Sequence, residues 1–214
     1  TSAEITDEKI MGLYMKSVLE NEMAPKSIYK FCKENTVKEE DFYKYFGAFD
    51  GLQKAIWSKF FKKTIDLINE NEAYNNFTNK EKLLTFLFSF FEMLTLNRSY
   101  VLFALKQHRN TLENLSQLKG LRVHVKDFAT ELIDEANAGR TLRITKQSPM
   151  LFSEGAWIQV LFLLKFWMDD SSPGFEKTDI AIEKSVKTIF DVFDNTPLES
   201  ILDFGKFLYK ETFA

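Results

Sequence analysis

The sequence predicts an all-α protein, and three features carry that prediction. Phenylalanine is unusually frequent, with 22 residues in a chain of 214, whereas there are only 8 glycines and 4 prolines. So few turn-forming residues, with so many large apolar ones, indicate long elements and few turns. Apolar residues also recur at intervals of three and four along most of the chain, which is the period of a helix with one buried face. The hydrophobic share of 45% and the charged share of 28% are those of a folded globular protein.

The first two helices are short and lie near the N-terminus. Helix one is predicted over residues 7–21, directly after Thr6, because a threonine hydroxyl can cap the free N–H groups of a first turn. Helix two is predicted to begin near Pro25, since proline is favoured in the first helical turn, and to end near Asn35.

A third helix is predicted to follow a tight connection at residues 35–37. Thr36 and Glu39 have the spacing of a capping box, which places the start of the helix there, and Gly47 is expected to stop it. Its predicted buried side consists of Phe42, Tyr43 and Phe46. Three short helices joined in this way form the arrangement of a helix-turn-helix, in which the last helix can enter a major groove.

The rest of the chain is also predicted to be helical. A cluster of turn-forming residues at 75–79 separates the first two of these helices, and a loop is expected over 137–149. A final amphipathic helix is expected in the tail, over residues 197–214. The remaining helices are predicted at 50–71, 80–96, 100–107, 112–136, 151–168 and 175–193.

Residues 37–52 resemble the TetR-family signature around the recognition helix and the start of helix four. The residues that match it are Val37, Phe42, Tyr43, Tyr45, Phe46, Asp50 and Leu52. The resemblance implies a helix-turn-helix domain at 1–50 and a larger helical ligand-binding and dimerisation domain at 51–214. It also implies a regulator that binds operator DNA as a dimer and responds to a small apolar ligand.

Positions that match the DNA-contacting residues of this family carry polar or basic side chains. They are Lys26, Ser27, Lys38, Tyr43, Lys44 and Tyr45. The charge balance opposes strong DNA binding, because residues 1–50 contain seven lysines, no arginine and ten acidic residues. Three of the acids, Glu39, Glu40 and Asp41, occupy the first turn of the predicted recognition helix, where they repel a phosphate backbone. Their alternative role is to stabilise the positive end of the helix dipole.

The resemblance also implies an apolar ligand pocket in the larger domain. Its predicted lining is Phe86, Phe90, Phe91, Leu94, Phe103, Trp157, Phe162 and Phe166. The alternative is that these aromatic side chains form an ordinary helical core, because aromatic residues at helical spacing are more often core than pocket.

The helices at 151–168 and 175–193 are expected to form the dimer seam, with two helices from each subunit in a four-helix bundle. The alternative is that the apolar run at 157–164 is internal core. A helix that is apolar on most sides has enough surface to serve both roles.

The sequence does not predict an enzyme, a metal-binding protein, a secreted protein or a membrane-spanning protein. The chain has one cysteine and two histidines, so no metal site, no disulfide within the chain and no cofactor are expected, and no catalytic set of residues stands out. No signal peptide is visible, and the reduced cysteine indicates a cytoplasmic protein. The apolar runs at 83–96 and 157–168 are interrupted by charges and are shorter than the about 20 residues of a membrane span.

Two functions of different kinds are compatible with the sequence. The first is a ligand-responsive, DNA-binding regulator. The second is a protein with the same fold that no longer binds DNA and acts as a lipid or isoprenoid carrier, or as an adaptor.

Overall fold

The computed structural model describes residues 5–107, 111–138 and 148–195, and in these ranges the protein is helical without any strand. The predicted all-α fold class is therefore confirmed. Short 3₁₀ helices lie at Glu72–Asn76 and Pro173–Phe175. The α-helices of the described ranges are α1 (Asp7–Asn21), α2 (Ile28–Glu34), α3 (Glu39–Tyr45), α4 (Phe49–Asn69), α5 (Asn79–Leu96), α6 (Arg98–Lys106), α7 (Thr111–Ser116), α8 (Lys119–Ala138), α9 (Pro149–Asp169) and α10 (Glu176–Asn195).

The chain forms two compact units that are each discontinuous in sequence. The first unit comprises residues 1–70 and 89–124, and the second comprises 71–88 and 125–214. The division of the chain into domains at residue 50 stays a prediction.

An aromatic cluster forms the core of the three-helix module at the start of the first unit. The ring of Phe31 in α2 makes edge contacts with Phe42 of α3 and Phe49 of α4, with centroids 6.1 and 5.7 Å apart. Tyr14 of α1 packs on the same Phe49 ring at 5.4 Å. Edge-to-face aromatic pairs stabilise a core beyond their buried area. The cluster therefore fixes α2 and α3 against α1 and α4.

Local details of this module differ from three predictions. Helix α2 begins at Ile28, after Pro25, because the Ser27 hydroxyl caps it by accepting a hydrogen bond from the N–H of Lys30 at 3.2 Å. The predicted capping box is wrong, since Thr36 has a left-handed backbone with φ of 55° and the N-cap residue is Lys38. Tyr43 is not buried either and is 52% exposed.

A buried amide joins three helices deeper in the first unit. The Gln117 side chain accepts a hydrogen bond from the Trp57 indole N–H at 2.8 Å and donates to the carbonyls of Ala104 and Asn114, both at 2.9 Å. Gln117 lies in the break between α7 and α8. The prediction of a single helix over 112–136 is therefore wrong. The break places the Gln117 amide where it forms hydrogen bonds with groups on α4, α6 and α7 that would otherwise be buried without a partner.

Helices α9 and α10 pack against each other in the second unit, and a tight turn joins them. The Asp170 carboxylate accepts hydrogen bonds from the N–H and hydroxyl groups of Ser172 and Thr178 at 2.7 to 2.9 Å. Burial alone would raise the pKa of Asp170, but these hydrogen bonds outweigh it and hold the pKa well below its usual range.

Helix α9 is longer than the apolar run recognised in the sequence. It has 21 residues, and among the described residues it is the one helix long and apolar enough to cross a membrane by length and composition. Half of its most apolar window is buried within the protein. A core helix of a soluble protein meets the same criteria, so the absence of a membrane span stays a prediction.

Candidate nucleic-acid interface and dimer surface

The N-terminal end of α2 carries the first two residues predicted to contact DNA. Lys26 is exposed just before the helix, and Ser27 is half-buried at its N-cap. The Ser27 hydroxyl oxygen already accepts the Lys30 N–H. Its hydroxyl proton is still available, so Ser27 could donate to a phosphate while it caps the helix.

The first turn of α3 is acidic. Glu39, Glu40 and Asp41 lie there, and Lys38 immediately before the helix forms an ion pair with Glu40 at 3.1 Å. The hydrogen bond to Glu40 raises the pKa of Lys38, so the lysine is fully charged, but its charge is opposed by a neighbouring carboxylate. Because both side chains are exposed, the ion pair adds little stability and can open easily.

The remaining predicted contacts lie at the C-terminal end of α3. Tyr43 is exposed, and the ammonium group of Lys44 is 5.3 Å from the centre of the Tyr45 ring. Tyr45 is half-buried and donates a hydrogen bond from its hydroxyl to the carbonyl of Ile5 at 3.1 Å. Tyr45 thus has a structural role in holding the segment before α1, whereas the side chains of Tyr43 and Lys44 are exposed.

Further basic residues of this surface were not predicted from the sequence. Lys30 and Lys33 are exposed on α2 at a spacing of three residues, so they lie on one face of the helix, and Lys26 is exposed in the segment just before it. We call Lys26, Lys30 and Lys33 the α2 lysine stripe. Within the described ranges none of the three forms an ion pair. The spacing of Lys30 and Lys33 in the sequence could have identified them as neighbours on one helix face, but the net negative charge of the module obscured this pattern.

Most of the residues predicted to line a ligand pocket lie in the cores of the two units. Phe90, Phe91 and Leu94 of the first unit and Phe86 of the second are at most 3% exposed, and Trp157 of the second unit is 9% exposed. The Phe86 ring contacts Phe128 with centroids 4.7 Å apart, as in an ordinary core. Phe103 is half-buried beside an open cavity of the first unit that includes Met23 and Lys106. Five of the eight predicted pocket residues are therefore buried core side chains.

The other two predicted pocket residues, Phe162 and Phe166, line an open groove between α9 and α10. The groove has a volume of about 790 Å³. Ile158, Phe162 and Ile180 are 64%, 56% and 50% exposed, which is unusual for large apolar side chains that lie close together. We call this surface the α9–α10 groove. Its lining is Gly155, Ile158, Gln159, Phe162, Phe166, Lys177, Ile180, Ala181, Lys184, Ser185, Thr188 and Ile189.

Helix α9 therefore has two apolar faces. Val160, Leu163 and Leu164 are buried inside the unit, whereas Ile158 and Phe162 point outward. One face of the helix thus belongs to the core of the unit. The other apolar face is in contact with water, which is unfavourable.

Comparison with known families agrees with this all-helical arrangement. Residues 82–208, more than half of the chain, match the family described as the tetracycline repressor-like C-terminal domain. The chain therefore belongs to the TetR family of regulators. No curated protein matches it.

Proposed function

We propose that this TetR-family protein is a homodimeric transcriptional regulator that binds operator DNA through α2 and α3 and responds to a small apolar ligand. The observation that carries the proposal is the exposed cationic surface formed by the α2 lysine stripe together with Lys44 and Tyr43. Exposed lysines can displace counterions condensed on a phosphate backbone, which is the main source of DNA affinity. The acids of α3 lie in its first turn, so the proposed phosphate contacts are those of the α2 lysine stripe and of Lys44 in the last turn of α3.

Dimerisation is proposed to occur through the α9–α10 groove. Two copies related by a two-fold axis would bury the exposed Ile158, Phe162 and Ile180 against each other and form a four-helix seam. A dimer doubles every phosphate contact and sets the spacing of the two recognition helices, with about 34 to 36 Å expected for successive major grooves.

Ligand response is proposed from the family membership. Of the predicted pocket residues, Phe162 and Phe166 are assigned to the dimer seam. Phe86, Phe90, Phe91, Leu94 and Trp157 are buried core side chains, so a ligand that contacts them would have to open space within their cores. The ligand is expected to be small and apolar.

The DNA proposal is tested by measuring binding to DNA from upstream of the protein's own gene, using fluorescence anisotropy from low to moderate salt. Lys44→Glu should abolish binding, whereas Lys62→Glu, an exposed lysine on α4, makes the same charge change away from the proposed interface. Lys30→Gln and Lys33→Gln should each lower the salt slope by about 1.8, because a dimer loses two phosphate contacts per substitution. A wild-type protein that binds no DNA even at low salt would refute the proposal.

A second function is favoured by the acidic first turn of α3. If Glu39, Glu40 and Asp41 keep DNA away, the protein is a TetR-fold carrier of an apolar molecule, or an adaptor, rather than an operator-binding regulator. Native mass spectrometry of gently purified protein should then show a bound apolar molecule, while the anisotropy assay shows no DNA binding. DNA binding that is lost in Lys44→Glu but kept in Lys62→Glu would exclude this alternative.

A further inference from the structure

A small cavity with a volume of about 170 Å³ lies between α1 and α4 in the first unit. Its lining residues on α1 begin at Glu8 and end at Met15, and those on α4 begin at Ile56 and end at Lys63. In each helix they follow the spacing i, i+3, i+4, i+7, so one face of each helix lines the cavity. Two residues near the junction of α5 and α6 close it. None of the residues predicted to line a ligand pocket contributes, so this is a separate site.

The absence of a side chain at Gly12 of α1 leaves this space open. A methyl group added at Gly12 would meet no atom within 4 Å, and the residue lies inside a regular helix. Neither close packing nor a left-handed backbone therefore requires a glycine at this position. Glycine destabilises a helix interior relative to alanine, so the cavity is kept open at a cost in helix stability.

The inner wall of the cavity is apolar and adaptable. Met11, Ile56 and Phe60 are at most 5% exposed, and Met15 and Met93 are half-buried. An unbranched methionine side chain adjusts to the shape of a bound molecule, and its sulfur makes favourable contacts with an aromatic ring. A cavity of about 150 Å³ is large enough for a benzene ring. One aromatic ring therefore fits the inner part of the cavity in both size and chemistry.

The rim of the cavity carries two cations and one anion. The Glu8 carboxylate accepts a hydrogen bond from the Lys59 ammonium group, and the Lys63 ammonium group lies 3.8 Å from the other carboxylate oxygen. The hydrogen bond from Lys59 and the charge of Lys63 lower the pKa of Glu8, so it is ionised at neutral pH. Asp7 and Asp66 also act on Lys59, but neither lines the cavity. Because 3.8 Å exceeds a hydrogen-bond distance, the N–H groups of Lys63 can bind a second carboxylate.

We propose that this cavity binds a small aromatic monocarboxylate, with its ring against the methionines and its carboxylate on Lys63. The site depends neither on DNA binding nor on the dimer, so it is tested separately from the proposed function. A molecule bound there contacts α1 and α4 together and ties the first helix of the three-helix module to α4. A ring without the charge, or a carboxylate without the ring, makes only part of these contacts and binds more weakly.

Methionine methyl groups report directly on this site, because three of the six methionines line the cavity and three do not. The lining methionines are Met11, Met15 and Met93, and the others are Met23, Met150 and Met168. In NMR spectra of protein labelled with ¹³C at the methionine methyl groups, benzoate should shift the signals of the first three and leave the other three unchanged. The absence of any shift up to about 20 mM benzoate, or a shift confined to the other three, would refute the site.

Benzamide and acetate separate the two parts of the ligand. Benzamide keeps the ring without the charge and should bind about fivefold more weakly than benzoate, and acetate alone should not shift the methyl signals. Lys63→Gln should weaken benzoate binding about fivefold and leave benzamide binding unchanged. Lys62→Gln removes the adjacent exposed lysine, which lies outside the lining, and should change neither. Equal affinities for benzoate and benzamide, or equal effects of the two lysine substitutions, would overturn the proposed class of ligand.

Filling the cavity should remove binding altogether. Gly12→Leu occupies the open space and should abolish the benzoate shifts. Gly51→Leu on α4 is the matched control, because a methyl group added there also meets no atom within 4 Å and Gly51 lies outside the lining, so it should leave the affinity unchanged. Circular dichroism identifies a variant that does not fold, and Gly12→Ala, with a smaller loss of affinity, then replaces Gly12→Leu. Benzoate binding that is unchanged in the folded Gly12 variant would place the ring elsewhere and overturn the proposal.

Discussion

Removing the negative charge of Asp170 should loosen the turn that sets α10 against α9. The Asp170 carboxylate is 7% exposed and accepts four hydrogen bonds from Ser172 and Thr178. In Asp170→Asn one carboxylate oxygen becomes an NH₂ group, which faces donors instead of accepting from them. Two of the four hydrogen bonds are lost along with the charge. Because hydrogen bonds to charged groups each contribute about 1.5–3 kcal/mol and are not additive, we expect the free energy of unfolding to fall by about 2–4 kcal/mol.

The pH dependence of the free energy of unfolding gives a second prediction, of both the size and the sign of the change. The folded-state pKa of Asp170 is lowered, so its stabilisation is present above the unfolded pKa of about 3.9 and is lost as pH falls towards the folded value. At pH 3 the wild-type protein should have lost about 1 kcal/mol of this contribution, whereas the asparagine at position 170 does not titrate. The difference between wild type and Asp170→Asn should therefore narrow from pH 7 to pH 3.

Urea unfolding followed by circular dichroism at both pH values measures this difference. Asp169→Asn is the matched control, because Asp169 is the adjacent aspartate and pairs with Lys165 on the exposed surface of α9. It should change the free energy of unfolding by no more than about 0.5 kcal/mol. An Asp170→Asn effect that equals the control, or that is the same at pH 7 and pH 3, would refute the reasoning.

Three further substitutions probe the first unit. Gln117→Leu leaves the buried Trp57 indole N–H without an acceptor, so the free energy of unfolding should fall by about 1–3 kcal/mol, with a change in tryptophan fluorescence. Gly120→Ala places a methyl group 2.9 Å from the Ser58 hydroxyl oxygen, so its effect on the melting temperature should be less favourable in the wild-type protein than in a Ser58→Ala background, where the hydroxyl is absent. Thr36→Gly removes the cost of a left-handed backbone at φ 55° and should raise stability by up to about 1 kcal/mol in urea unfolding.

Local sequence signals predicted helices well where the cap residue and the apolar period agree. Helix α1 begins at Asp7 and ends at Asn21 as predicted, because Thr6 accepts the N–H of Lys9 and the buried residues keep a helical spacing. Helix α5 begins within one residue of its predicted start, directly after the turn-forming residues predicted at 75–79. Such signals involve groups only a few residues apart, so the sequence displays them directly.

The incorrect predictions depended on hydrogen bonds that the helical pattern and the cap spacing do not reveal. Gln117 continues the helical pattern of its neighbours, but its amide is bound by Trp57, sixty residues earlier, and the helix breaks there. The capping box at Thr36 failed because the N–H of Val37 bonds to the carbonyl of Cys32 at 2.9 Å, which turns the chain tightly after α2. The predicted helix over 197–214 and most of the predicted loop over 137–149 lie outside the described residues.

The charge distribution over the three-helix module was incompletely described by the sequence for a different reason. Counting charges over residues 1–50 gives a net value of −3 and treats the module as one surface. In the structure the acids of α3 lie in its first turn, whereas Lys30 and Lys33 lie on α2 and have no ionic partner in the ranges described. A phosphate responds to charges within about 10 Å at physiological salt, not to the sum over a module. In the proposed function, the net charge therefore affects the long-range attraction of the protein to DNA, whereas direct contact with a phosphate depends on the α2 lysine stripe.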